Sequence, residues 1–170
     1  PDGSEVAPLD EAAVRAAARA IRAAGIEAVA VVFLHSYANP AHERRAAAIL
    51  AQEHPDALIS LSSEVLPVFR EYERAMTTVL NVYVMPAVAS YVGRLEQRLS
   101  AQSIAAPLLL MKSSGGVTSA RSVRRTPVET ALSGPAAGVG GMNFIGASAG
   151  FRNLIGIDIG GTSADISLID

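Results

Sequence analysis

Between residues 10 and 24 the apolar positions Val14, Ala17, Ala18 and Ile21 recur at helical spacing, with Arg15, Arg19 and Arg22 on the opposite side. That pattern predicts an amphipathic helix, capped by Asp10 and stopped by Gly25. Glu27 to Leu34 is then a continuous β-branched apolar run, as expected of a strand covered on both faces. A polar loop, Ser36–Asn39, leads to Pro40 at a helix start, and Ala46, Ile49 and Leu50 supply that helix with a buried face. Ala57–Leu61 reads as a second short strand. Helix alternating with buried strand argues for an α/β layer with parallel strands.

The middle of the chain changes character. Tyr72, Met76, Val79, Leu80, Tyr83 and Val84 follow helical spacing and predict an apolar face, and Pro86 is expected to kink or break this helix. Val88, Val92, Leu95 and Leu99 carry a second helical segment. Leu108–Met111 predicts a strand ending in the loop Lys112-Ser113-Ser114-Gly115-Gly116. A helix near 119–125, a strand near 128–132, a helix near 135–148 and a buried strand at 153–159 with its partner at 163–169 complete the pattern.

Composition adds bounds. Half of the 170 residues are apolar, enough for a substantial core. The net charge of −2, from 14 basic and 16 acidic residues, makes no case for nucleic acid or an anionic membrane surface. The absence of cysteine removes disulfides, thiolate metal sites and a cysteine nucleophile, and is compatible with a reducing cytosol. No unbroken apolar run reaches the roughly 18 residues of a membrane span. The chain starts Pro1-Asp2-Gly3 and ends at Asp170 inside a predicted strand, so it reads as an excised piece of a larger protein.

Chemistry concentrates in three glycine-bearing turns. In the last, Gly160-Gly161-Thr162 joins two strands. Glycines there permit positive φ and leave no Cβ to block a phosphate, so that N–H groups form a small anion nest. Thr162 and Ser163 add hydroxyls, Asp158 is placed to hold Mg²⁺, and Asp165 to orient water or metal from the return strand. The alternative is a plain Gly-Gly hairpin. No Walker loop and no dinucleotide fingerprint is present. The second turn, Ser133-Gly134-Pro135, opens a helix whose free N–H groups suit an anion, with Pro135 at the first helical position and Ser133 or Gly134 as cap. Ala136, Ala137, Gly138, Gly140 and Gly141 keep that helix narrow, and close packing is its simpler explanation. The third turn, Ser113-Ser114-Gly115-Gly116, either donates N–H groups to a substrate or phosphate or merely connects two elements. His35, His42 and His54 lack metal-ligand spacing and read as loop or surface residues. Glu64, Arg70, Glu71, Glu73 and Arg74 read as a salt-bridged helix start, and Arg121, Arg124 and Arg125 as a solvated helix face. Ser113 and Ser133 have no His/Asp partner in the sequence pattern, which argues against a serine hydrolase.

At these residues a resemblance enters. DIGGTSADISLI resembles the second phosphate loop of the actin, sugar kinase and Hsp70 superfamily, and SGPAAGVGGM resembles the connecting helix before it. The run SEVLPVFREYERAMTTVLNVYV (63–84), with LLLMKSSGGVTSARSV (108–123), SGPAAGV (133–139) and IGIDIGGTSADISL (156–168), is similar to the hydantoinase A/oxoprolinase family. Ser63 and Ser114 depart from it where that family often has His and Asn or Asp.

The resemblance implies an α/β fold: an incomplete actin-like (ribonuclease H-like) ATPase domain with part of an adjoining α/β segment. Residues 1–62 would end an N-terminal region, and 63–170 would begin the hydantoinase A domain, with the second phosphate loop at 156–168. It implies a cytoplasmic, ATP- and Mg²⁺-dependent hydrolase of cyclic amides such as hydantoins or 5-oxoproline, paired with a hydantoinase B-type subunit or domain. Asp158 would bind Mg²⁺ with Asp165 in support. Gly160, Gly161, Thr162, Ser163 and Gly134 would bind phosphate, and Ser114, Gly115 and Gly116 would contact substrate or phosphate. The first phosphate loop and the adenosine pocket would lie outside these residues, leaving the piece alone inactive. An ATP-dependent ketone carboxylase of the same family is the near alternative. An Hsp70-like nucleotide-switched binding protein is the distant one, and it would not predict the REYER…LNVYV helix or the SSGG turn.

Overall fold

A computed structural model describes residues 3–170; the chain start at Pro1-Asp2 lies outside the described residues. The chain divides into two compact units, Pro1–Ser90 and Tyr91–Asp170.

The first unit opens with helix α1 (Glu11–Ala23), whose N-cap Asp10 accepts a hydrogen bond from the Ala13 N–H at 2.9 Å. Its other end is a Schellman motif. Gly25 takes φ +68°, the Ile26 N–H reaches the Ile21 carbonyl at 3.2 Å, and the Gly25 N–H reaches that of Arg22 at 3.0 Å. Strand β1 (Ala28–Val31), helix α2 (Ala41–Glu53) and strand β2 (Leu58–Leu61) follow, and the strands pair in parallel from Ala28 opposite Leu58 to Val31 opposite Leu61. Ala18, Val31, Ala46, Leu50 and Leu61 form the core between the helices and this sheet, with Val14 and Ile21 packed against it. The arginine face of α1 folds over the end of α2. Arg19 pairs with Glu53 at 2.9 Å, and Arg22 donates to the Glu53 carbonyl at 3.1 Å, where a helix C-terminus favours positive charge.

A short turn, α3 (Ser62–Val65), precedes the long helix α4 (Glu71–Ala101), which continues through Pro86 where the sequence pattern allowed a break. The face of α4 that is buried also differs from expectation. Arg74, Thr78, Asn81, Val82 and Met85 are buried, while Tyr72, Met76, Val79, Leu80 and Tyr83 are exposed. The reason is a polar network. Glu43 of α2 is fully buried and accepts hydrogen bonds from the Ser62 hydroxyl (2.6 Å) and the N–H groups of Ser63 and Phe33 (both 2.9 Å). Arg74 donates to the carbonyls of Val68 (2.8 Å) and Phe33 (2.9 Å), and Asn81 donates to the Ser60 hydroxyl at 2.8 Å. Arg74 is therefore an interior residue, while Arg70 and Glu73 form a surface pair at 3.2 Å. His54 is likewise buried, with Nε2 at 2.9 Å from the Ile26 carbonyl. By length and composition α4 is apolar enough to cross a membrane, although Thr77, Thr78, Asn81 and Pro86 interrupt its apolar run.

In the second unit Val92, Ala120, Val123 and Pro127 are buried. Strands β3 (Leu109–Met111) and β4 (Val117–Ser119) form an antiparallel pair, and helix α5 (Ala120–Arg125) begins at the N-cap Ser119. Arg124 pairs with Glu96, so the arginine cluster is only partly solvated. Residues 127–130 form a 3₁₀ turn, not the expected strand: Pro127 has no N–H to give a ladder, and the Thr130 hydroxyl closes the turn onto the Pro127 carbonyl at 2.8 Å. Helix α6 (Ser133–Ser148) begins two residues ahead of Pro135, with Leu132 as its N-cap. Strands β5 (Leu154–Ile159) and β6 (Ala164–Ile169) close the chain as an antiparallel hairpin. β5 is not a buried strand. Ile155, Ile157 and Ile159 are exposed with Ile166 and Leu168, because α6 covers only the other face of this two-stranded sheet.

Candidate functional site

The site is built where α6 meets β5. A side chain added at Gly146 would overlap Leu154, and one added at Gly156 would overlap Met142; a Cβ on Gly138 would sit 3.9 Å from Asp158 Oδ2. Helix positions 146, 142 and 138 thus match strand positions 154, 156 and 158. Four helical residues rise about 6 Å and two strand residues about 6.6 Å, so the two elements run in opposite directions in matched steps. Asp158 and Asp165 share a cleft with Pro135 and Ala136, which places the carboxylates near the start of α6. Gly146 and Gly156 are the glycines that this approach requires, whereas a Cβ at Gly138 would make only an ordinary contact. At Gly140 and Gly141 a Cβ would meet nothing within 4 Å.

Asp158 and Asp165 stand directly opposite each other in the hairpin register and so share a face. Both line a cleft of about 960 Å³ against α6, together with Ser113, Pro135, Ala136 and Gly138. Gly160, Gly161, Thr162 and Ser163 form the exposed four-residue turn beyond the carboxylates. Neither of its glycines lies in the left-handed region; the turn is closed instead by the Gly160 N–H donating to the Ser163 carbonyl at 2.9 Å. Their value is openness: a Cβ would meet nothing within 4 Å at Gly161 and only the Ser163 carbonyl, at 3.6 Å, at Gly160.

Gly134 is exposed in the first turn of α6. Ser114, Gly115 and Gly116 form the tip between β3 and β4, where Gly115 and Gly116 take φ +82° and +73°. The serine of that loop that lines the cleft is Ser113, not the Ser114 favoured as a contact residue. Its hydroxyl donates to the Glu129 carbonyl at 2.7 Å and accepts from the Leu132 N–H at 3.1 Å.

Among the described residues no three His, Cys, Asp or Glu side chains gather as a metal cage. Two carboxylates on one face suit a hard cation that completes its shell with water and phosphate oxygens, as Mg²⁺ does. The residues present fit such an ion bound together with a nucleotide.

The comparisons with known proteins give the family of this α/β module. The hydantoinase/oxoprolinase family model matches residues 74–170, and the model of the family's N-terminal region matches residues 1–54. The chain belongs to the hydantoinase/oxoprolinase family. It is 38% identical over 167 residues to caprolactamase subunit alpha of Pseudomonas jessenii, covering 98% of this chain and 24% of that protein. The crystal structure of the ATP-dependent caprolactamase from that organism superposes with a TM-score of 0.89 over 99% of this chain and 24% of the other. Nucleotide-free acetone carboxylase, described as ATP-dependent, superposes at 0.86 with 32% identity and the same coverage. The 5-oxoprolinase of Saccharomyces cerevisiae is 36% identical over 162 residues, 93% of this chain and 12% of that protein. The chain thus spans about a quarter or less of the length of these relatives.

Proposed function

We propose that this chain supplies one side of the nucleotide site of an ATP-dependent enzyme that opens cyclic amides of the hydantoin, lactam or 5-oxoproline type. The observation that carries this reading is the Asp158–Asp165 pair, held against α6 at Gly138 with the open Gly160-Gly161 turn beyond it. Asp158 would hold Mg²⁺, with Asp165 steadying its bound water. Gly161, Thr162 and Ser163 would face phosphate oxygens from the turn, and Gly134 would add the positive end of α6. Phosphoryl transfer asks a protein mainly for positioning and charge neutralisation, which is what these residues offer. ATP would supply the phosphoryl group that activates the ring carbonyl oxygen, making the carbon open to water.

The actin-like architecture, with the first phosphate loop and adenosine pocket elsewhere in the polypeptide, belongs to the same proposal. So does a partner subunit, supported by the subunit character of the caprolactamase and carboxylase relatives. Within this reading the stretch 1–62 ends the N-terminal region and 63–170 begins the catalytic one. A second reading, ATP-dependent ketone carboxylation, is supported by the similarity to acetone carboxylase at both sequence and structure level. Phosphate release from the full-length protein with its partner separates them. Release with hydantoin, caprolactam or 5-oxoproline supports the amide reading; release only with acetone or acetophenone plus bicarbonate overturns it.

A further inference from the structure

Ser113 joins two segments of the cleft wall that the sequence separates by some twenty residues. Its main-chain N–H and its hydroxyl both donate to the Glu129 carbonyl, at 2.6 and 2.7 Å. The hydroxyl oxygen also accepts from the Leu132 N–H at 3.1 Å, and the Leu132 carbonyl in turn accepts from the Ala136 N–H at 3.3 Å, opening α6. Lys112 reinforces the same junction through Glu129 at 2.8 Å. Beyond Ser113 the chain reverses at once, with the Gly115 N–H bonded to the Lys112 carbonyl at 3.1 Å. Beside the main-chain bond and the ion pair to Glu129, the Ser113 hydroxyl thus ties the β3–β4 turn to the N-cap of α6, in the cleft that Asp158 and Asp165 line.

We propose that Ser113 is a positioning residue, setting the start of α6 against the carboxylate pair so that bound nucleotide meets both. This rests on the nucleotide reading of the cleft. Ser113→Ala removes the hydroxyl bonds yet keeps the main-chain bond to Glu129, so the fold should survive; Ser113→Thr keeps the hydroxyl.

The test is calorimetric binding of MgATP to the full polypeptide with its partner, well below the melting temperature, alongside amide exchange at Leu132 and the KM and kcat for ATP. Expected for Ser113→Ala is a Kd and KM about tenfold higher, faster exchange at Leu132, and a smaller change in kcat, all restored to within about twofold by Ser113→Thr. A Kd for Ser113→Ala within twofold of wild type, with wild type binding normally, overturns the positioning role alone. Wild-type protein that binds no MgATP overturns the nucleotide reading, and this role with it.

Discussion

Asp158 faces Asp165 across the β5–β6 hairpin, two like charges held side by side on one small sheet. Like charges directly opposite on a sheet weaken it modestly, and a cation between them would relieve that. Replacing either with Asn should leave the melting temperature unchanged or slightly raised. In the full-length protein with its partner, Asp158→Asn should lower ATP-dependent turnover by about a hundredfold and Asp165→Asn by less. Thermal melts and Mg²⁺ titrations of turnover check both; full activity in Asp158→Asn would remove the metal role.

Glu43 makes the first unit sensitive to acid. Burial pushes its carboxyl upward, but hydrogen bonds from the Ser62 hydroxyl and the Ser63 and Phe33 N–H groups outweigh that and hold it below its ordinary value of about 4.5. The folded state thus holds the carboxylate more firmly than the unfolded chain does. Its stabilisation is complete above about pH 4.5 and is lost as pH falls through the lowered folded-state value. Urea denaturation across pH 3 to 6 should show stability falling with acid, with a flatter slope in Glu43→Gln. Glu43→Ala, which strands three donors, should cost on the order of 3 kcal/mol at neutral pH.

Arg74 ties two loops to α4 through the Phe33 and Val68 carbonyls and lies over the Tyr37 ring at 5.6 Å. A lysine cannot reproduce that planar fork. Arg74→Lys should therefore destabilise by about 1–2 kcal/mol and Arg74→Ala by about 3 kcal/mol. A denaturation midpoint unchanged by Arg74→Lys would show that one carbonyl contact suffices.

The glycines of α6 and β5 should separate into two classes. Gly146→Ala and Gly156→Ala push against Leu154 and Met142 and should cost about 1–3 kcal/mol. Gly140→Ala meets open space in a helix interior and should stabilise by about 0.5–1 kcal/mol. Equal melting temperatures for Gly140→Ala and Gly146→Ala would contradict the packing.

Local signals were legible in the sequence. Asp10 and Gly25 bracket α1, the apolar runs at 27–34 and 57–61 contain the shorter parallel strands β1 and β2, and the Gly-Gly turn becomes the hairpin that sets Asp158 opposite Asp165. What escaped depends on partners distant in sequence. The buried side of α4 is chosen by its neighbours, including Phe33, Ser60 and Val68, and not by its apolar stripe. The 128–132 stretch has strand-like residues, but Pro127 and the tie of Ser113 to Glu129 turn it aside. In the loop 113–116, the left-handed backbone at Gly115 and Gly116 accompanies a turn whose cleft-facing serine is Ser113; spacing alone could not distinguish it from Ser114. The apolar face at Ile155, Ile157 and Ile159 has the composition of a buried strand, but in the described residues only one side of the hairpin is packed.

The matched steps of α6 and β5 limit how this part of the chain can change in length. One residue inserted between Gly138 and Gly146 would swing the earlier half of the helix by about 100° and bring a side chain toward the Asp158 carboxylate. Tolerated insertions must come close to whole helical turns, answered by pairs of residues in the strand. The seam works like a rack and pinion, and drift in either element is admissible only in whole teeth.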